Sequence, residues 1–240
     1  MTAAPVPLVV TLVCAFTYSI EIVFGLAGTI LMLAVLTLFY SAKTLVVYSV
    51  LPQTLVGIIG LARSPRTVRI GFLGGMLAFA TLGGGLGFFL FYRVPAHVFR
   101  YLLATIITLA GLHLVAGPRR LRLHAAGGRV LDTLAGMSQA LFGISGPIAI
   151  TRLLGTFSDK TTVRNYALAF FLALNILRTT GYLLAHTITP QIGRLMLDSG
   201  PFVAVTLWFS NHLHFRVNET LFRRVVAWII LASGLSMFFH

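Results

Sequence analysis

Charge is scarce in this chain. Its 240 residues include five acids and 18 Lys and Arg, so charged residues make up 10% of the sequence, against about 25% in a soluble globular domain. Hydrophobic residues reach 58% and the mean hydropathy is +0.94, the composition of a protein solvated mainly by lipid. Cysteine is nearly absent: the single Cys14 excludes an intrachain disulfide and a thiolate metal cluster. So few acids leave little material for paired-carboxylate catalysis. His212 and His214 stand two apart at a segment edge without further ligands at metal spacing. With no Ser/His/Asp set, P-loop or dinucleotide fingerprint, neither metal nor cofactor is expected, and enzyme chemistry has no positive support. The apolar runs lack the alternation of a barrel strand, and only helices or closed barrels can span a bilayer. The expected fold class is an all-α integral membrane protein. Its net charge of +13 does not point to nucleic acid, because the Arg residues stand in short loops between apolar runs, the pattern of cytoplasmic anchoring. The opening MTAAPVPLVV has no basic n-region and no small-residue cleavage pattern, so it reads as the start of the first membrane element.

What the chain does have is a repeat. Phe24-Gly25-Leu26-Ala27-Gly28-Thr29-Ile30 and Phe142-Gly143-Ile144-Ser145-Gly146-Pro147-Ile148 are one heptad pattern written twice, 118 positions apart (24 to 142). At that offset Glu21 matches Gln139 and Tyr48 matches Tyr166. Later, Arg93-Val94 through Phe99-Arg100 matches Arg216-Val217 through Phe222-Arg223 at an offset of 123 (93 to 216), as do Gly111-Leu112 and Gly234-Leu235. Apolar segments fall at 8–40, 44–62, 70–91, 99–116, 130–157, 163–185, 191–210 and 221–239. The expected organisation is a first membrane repeat over 1–116, a basic cytoplasmic linker over 117–129 and a second repeat over 130–240.

The first segment is too long for one simple crossing. A continuous helix over 8–40 would run about 48 Å, against a hydrocarbon core of about 30 Å. It is either a long tilted helix or two half-helices folded into a re-entrant hairpin at Gly25–Gly28. If every segment crosses, the loop cations divide almost evenly between the two sides. If the first element of each half re-enters instead, Lys43, Arg93, Arg100 and Arg194 lie on one side and the remaining loop cations on the other, a clear positive-inside bias. Each half then makes three full crossings, and the second half enters inverted. Inverted repeats meeting at broken helices form a common transporter architecture, with the binding site at the breaks.

The candidate site residues follow from that geometry. Gly25, Gly28, Gly143 and Gly146 lack a β-carbon and let backbone approach a ligand closely. Pro147 suits the first turn of a new half-helix, with Thr29 in the same place in the first half and Ser145 beside it in the second. Free amides at two half-helix N-termini would make an anion site near the midplane; close helix packing through small residues is the alternative. Arg178 lies deep in an apolar run, where a cation is costly and marks a substrate path or an internal pair. Its guanidinium suits oxyanions, and Asn175 stands one turn earlier on the same face. Snorkelling, or pairing with Asp198, is the alternative. Glu21 reads as a proton-coupling carboxylate, as a structural partner of Arg178, or as a group near the outer surface. Gln139 is its uncharged counterpart. Gln53, in Pro52-Gln53-Thr54, reads as pathway lining or as part of a tolerated kink. Ser158-Asp159, Asn218-Glu219 and Asp132 read as helix-capping or first-turn groups, and His113 as a packing residue.

The Gly-rich broken segments, the Arg-Val-Pro and Leu-Phe-Arg-Arg loops and the Leu-Asn-Ile-Leu-Arg run over 174–178 resemble the sulfite/sulfonate exporter family (TauE/SafE) across nearly the whole chain. Gly143-Ile144-Ser145-Gly146-Pro147, Asn175 and Arg178 stand where that family has them. The first half departs at Gly28-Thr29-Ile30, where three glycines are usual. The resemblance implies a multi-pass transporter of the inner (plasma) membrane. Its substrate would be a small anion, sulfite or an organosulfonate, and its coupling ion a proton or sodium. A homodimer is an admissible assembly. A passive anion channel and an integral membrane enzyme are the competing readings.

Overall fold

The computed structural model describes residues 5–24, 27–62, 68–116, 124–212 and 219–238. These residues form helices and no strand. The first half contributes α1 (Pro5–Phe24), α2 (Gly28–Leu36), α3 (Ala42–Tyr48), α4 (Val50–Leu61), α5 (Ile70–Arg93) and α6 (Ala96–Ala116). The second contributes α7 (Ala125–Phe142), α8 (Gly146–Leu154), α9 (Lys160–Leu184), α10 (Pro190–His212) and α11 (Glu219–Ser236). At the offset of the repeated heptad, α2 and α8 coincide end to end (28 to 146, 36 to 154).

The long first segment of each half does break. The chain leaves α1, and Ala27 turns it through a left-handed conformation (φ 81°). Then α2 runs back along α1. The Tyr18 hydroxyl meets Thr29 Oγ1 at 3.2 Å and donates to Met32 Sδ at 3.7 Å, so α2 lies against α1 beyond the turn. The second half repeats the hairpin: α7 ends at Gly143 (φ 73°), and Arg152 of α8 returns to Asp132 of α7 at 3.5 Å. One long tilted helix over 8–40 is therefore not what forms. Nor are the arms equal halves. The first arm of 20 residues would be about 30 Å long and the second, of nine, about 14 Å.

Four stretches among the described residues are long and apolar enough to cross a membrane: Ala42–Leu61, Ile70–Arg93, Ala96–Ala116 and Thr161–Leu184. The first combines α3 and α4, which meet at Ser49. Pro52 sits in the first turn of α4, where its missing N–H costs no helical bond. Of the three crossings expected in the second half, α9 meets this measure. Arg194, Asp198 and Ser199 make α10 less apolar over its 23 residues, and the apolar stretch described in α11 is short, Ala227–Ser236.

The halves interlock rather than sit side by side. α5 packs on α7, and its counterpart α10 packs on α1; α4 meets α9, α6 meets α11, and α11 and α6 cover α2 and α8. The α5–α7 contact is made by backbone. A β-carbon on Gly83 would stand 1.8 Å from the Thr133 carbonyl oxygen, and one on Gly136 1.9 Å from that of Ala80.

Three details differ from the sequence reading. α7 begins at Ala125, inside the stretch assigned to the linker. Asp132 is no terminal cap: it is buried within α7 and pairs with Arg152, because α8 brings a cation over it. The interruption near Pro52 falls at Ser49 instead. Asp159 does cap α9, accepting from the Thr162 amide at 2.7 Å and hydroxyl at 2.6 Å. Expected capping at Asn218-Glu219 lies outside the described residues and side chains.

Two consequences can be measured. Gly136→Ala forces two helix backbones apart, and overpacking of this kind costs about 1–3 kcal/mol or more. Gly75, with open space around it, tolerates Ala, so thermal melts in detergent should separate the two variants clearly; equal melting would contradict the close packing. The Thr162 bonds hold the Asp159 carboxyl below its usual range. The cap's contribution is then fully present above the unfolded value of about 3.9 and is lost as pH falls through the lower folded one. Asp159→Ala should remove that acid-dependent part of the melt, whereas Asp159→Asn keeps the cap and loses only its pH dependence.

Candidate functional site

A break in a buried helix leaves the first amides of the new helix and the last carbonyls of the old one without helical partners. The two hairpin tips meet this need differently. In the first half, the Glu21 carboxylate turns onto the N-terminus of α2. Its Oε2 accepts from the Thr29 amide at 3.0 Å and the Thr29 hydroxyl at 3.5 Å. Gly28 is needed there, since a β-carbon would lie 2.5 Å from that same oxygen. A carboxyl group on a helix N-terminus sits at the favourable end of the macrodipole interaction, so this tip carries its own acceptor. Gly25 lies outside the described residues.

In the second half the counterpart is the neutral Gln139. Its Oε1 accepts from the Ser145 hydroxyl at 2.8 Å, and its amide donates to Gln53 Oε1 at 3.0 Å and Asn175 Oδ1 at 3.1 Å. Gly146 and Pro147 open α8, as the heptad suggested. No carboxylate caps α8 among the described residues. Gly143 is held in the left-handed region, where a β-carbon would also stand 2.6 Å from Arg178 Nη1.

Arg178 is buried, and its described hydrogen bonds go to protein oxygens. Nη1 donates to the Gln139 carbonyl at 2.9 Å; Nη2 donates to Ser49 Oγ at 2.6 Å, to the Val46 carbonyl at 3.3 Å and to Gln53 Oε1 at 3.3 Å. Asp198 is not among these partners. The Gln139 carbonyl belongs to the last turn of α7 and the Val46 carbonyl to the last turn of α3. The guanidinium therefore ties two helix C-termini together, a favourable place for a cation. Gln53 completes the bridge between tips: its amide donates to the Gly143 carbonyl at 2.7 Å and makes a short contact with Thr29 Oγ1.

Between the tips lies a small cavity of about 20 Å³, lined by Glu21, Thr29 and Gln53 from the first half and by Gln139, Ser145 and Gly146 from the second, among others. That is room for about one water. Glu21, Gly28, Thr29, Gln53, Gln139, Gly143, Ser145 and Gly146 thus converge on this small region. Asn175 and Arg178 stand behind the two glutamines and do not line the cavity, and Pro147 faces a different space. Asn175 is fully buried, and its Nδ2 has no hydrogen-bond partner. Ser49 was missed by sequence reasoning; its only signal was a small hydroxyl three residues before Pro52 in a largely apolar run. Arg152 and Asp132 were missed as a pair because nothing local links them.

The sequence model of the family described as Sulfite exporter TauE/SafE matches residues 10–237, and the chain belongs to that family. No curated protein and no solved structure matches it.

Removing the Arg178 guanidinium removes its charge-assisted bonds to four buried acceptors, at about 1.5–3 kcal/mol for each strong one. Arg178→Gln should melt well below wild type in detergent, and Arg178→Lys should recover only part of the loss, since one ammonium cannot span four acceptors. An unchanged melt in Arg178→Gln would contradict this tying role.

Proposed function

We propose that this member of the TauE/SafE family is a secondary transporter that carries a small oxyanion, sulfite or an organosulfonate, outward across the inner membrane by alternating access. The proposed architecture is a pair of inverted repeats whose hairpins, α1–α2 and α7–α8, re-enter from opposite faces and meet at the cavity. The interlocked pairing of equivalent helices supports that reading, as does the positive-inside bias of the loops.

One observation carries the proposal. Two tips of equal length meet at one cavity, one already filled by Glu21 and the other ending in the neutral Gln139. The anion binds at the second tip, on the Gly146 amide and the Ser145 hydroxyl, where the helix dipole is uncompensated. Gln139 then gives up its bond from Ser145, and Asn175 Nδ2 can hold the displaced amide oxygen. Arg178 acts as a positioning residue: it fixes the Gln139 backbone and Gln53 and adds positive potential behind them. A cavity with room for about one water supports a carrier that rearranges around its cargo over an open anion pore.

Glu21 is the proposed coupling group. Its negative charge opposes a second anion in the same cavity, and protonation weakens its hold on the α2 N-terminus. Proton and anion binding are then linked through one small space.

Proteoliposome flux tests both parts. Wild type should move sulfite at carrier rates, accelerated by a proton gradient, and Ser145→Ala with Gln139→Leu should lower that flux at least tenfold. Glu21→Gln keeps the shape of the cap and should abolish the response to the gradient while anion exchange persists. Gradient-driven flux that survives in Glu21→Gln would overturn the coupling role.

A further inference from the structure

The two tips differ in more than their caps. Eight of the nine residues of α2 are buried, against two in α8, Ala149 and Leu153. Beside α8, between α6 and α7, lies a chamber of about 350 Å³, open on the side where Leu109 is exposed, and many times the room one water needs. Its walls include Pro147, Ile148 and Thr151 of α8, Ser138 of α7 and His113 of α6. The corresponding place in the first half is closed. There, Ile20, Ile30 and Leu33 stand where the second half has Ser138, Ile148 and Thr151, and all three are buried. α11 also packs on α2 more extensively than α6 does on α8.

The chamber is apolar along its length and polar at its ends. At one end His113 Nε2 lies 3.2 Å from Thr151 Oγ1, and the chain following α6 carries Arg119, Arg120 and Arg122 in sequence. At the other, the Ser138 hydroxyl donates to the Ile144 carbonyl. Ile144 lines both this chamber and the cavity between the tips. Ile144 therefore stands between the chamber and the cavity at the α8 tip.

We infer that the α6–α7–α8 chamber is the access route by which a small anion reaches the α8 tip, with Ile144 as the partition and the His113–Thr151 pair as the outer polar station. The inference rests on the α8 tip being the anion site. A sealed α2 and an open α8 give the pathway a direction: the anion arrives on one side of the tip pair only. His113 can donate a hydrogen bond to an oxyanion, and Thr151 can release it by keeping its bond to the Pro147 carbonyl at 2.7 Å. Between these ends the walls are apolar and offer the anion no partner, so it crosses with its hydration water, for which the space is large enough.

The only cysteine, Cys14, is fully buried, so single introduced thiols report cleanly. Ile148→Cys places a thiol in the chamber, Leu131→Cys is a second such position should the first fail to fold, and Leu33→Cys is the control in the sealed α2, fully buried and away from the cavity between the tips. The anionic reagent 2-sulfonatoethyl methanethiosulfonate is applied to proteoliposomes permeabilised to it, then washed out before sulfite flux is measured. Modification, read by intact mass, should be at least tenfold faster in the Ile148→Cys variant than in the Leu33→Cys variant. In the chamber variant it should also cut flux at least tenfold, with recovery on reduction by a thiol. Equal rates at the two positions, or complete modification of the chamber thiol with flux unchanged, would overturn the access route. Absent flux in wild type, with the two rates still tenfold apart, would overturn the transport reading and leave an anion-accessible chamber standing.

Discussion

A helix that stops inside hydrocarbon must find partners for the polar backbone it leaves open, because lipid offers none. The central organisation of this protein follows from that requirement. Its chain interrupts three times near the middle, after α1, after α3 and after α7, and brings the open ends together so that they satisfy one another. Arg178 takes the carbonyl ends of α3 and α7, Glu21 takes the amide end of α2, and Gln53 spans from Thr29 to Gly143. Without the guanidinium the carbonyl ends would face each other as like dipole ends in a medium of low dielectric. The remaining open end, at α8, faces the cavity, and it is where a mobile anion has a physical reason to bind.

Duplication made the two tips alike, and a few substitutions made them unequal. Exchanging Glu21 for Gln139 across the repeat removes an internal anion from one tip. Exchanging Gly57 and Gly60 for Asn175 and Arg178, their counterparts at the same offset, adds donors on one side alone. Gly57 instead receives Leu172, whose Cβ would stand 2.8 Å from an added β-carbon, so the first half spends that position on close packing of α4 against α9. The cargo site on this account is asymmetric within a symmetric frame. Such a site can bind one anion without requiring both halves to bind it equally.

Much of this was legible in the chain itself. The duplicated heptad located both breaks, and excess segment length left a tilted helix or a hairpin, between which the loop cations favoured the fold-back that Tyr18 and Met32 now make visible. Gly143 and Pro147 carried their local geometry openly, because positive φ and helix starts favour those residue types. The roles of Arg178 and Asp132 were not legible. Each is set by a residue far along the chain: Val46 and Ser49 for the first, Arg152 for the second. Periodicity and hydropathy carry no record of such pairings. The expected crossing over 191–210 falls short of the spanning measure because Arg194 and Asp198 lower the hydropathy of α10, although Ser199 and Val203 on its packed face are buried. The inequality of α2 and α8 was also hidden, as burial depends on neighbours that sequence spacing does not name.

The central claim is that one tip is sealed by its own carboxylate and the other receives the anion. Selenite, the heavier analogue of sulfite, permits a direct measurement through the anomalous scattering of selenium in crystals of the protein soaked with it. The account predicts a single selenium peak beside Ser145 and Gly146, within hydrogen-bonding reach of the α8 N-terminus, with Glu21 still on Thr29. A peak on the Gly28–Thr29 amides with Glu21 displaced, or one held directly by Arg178, would contradict it.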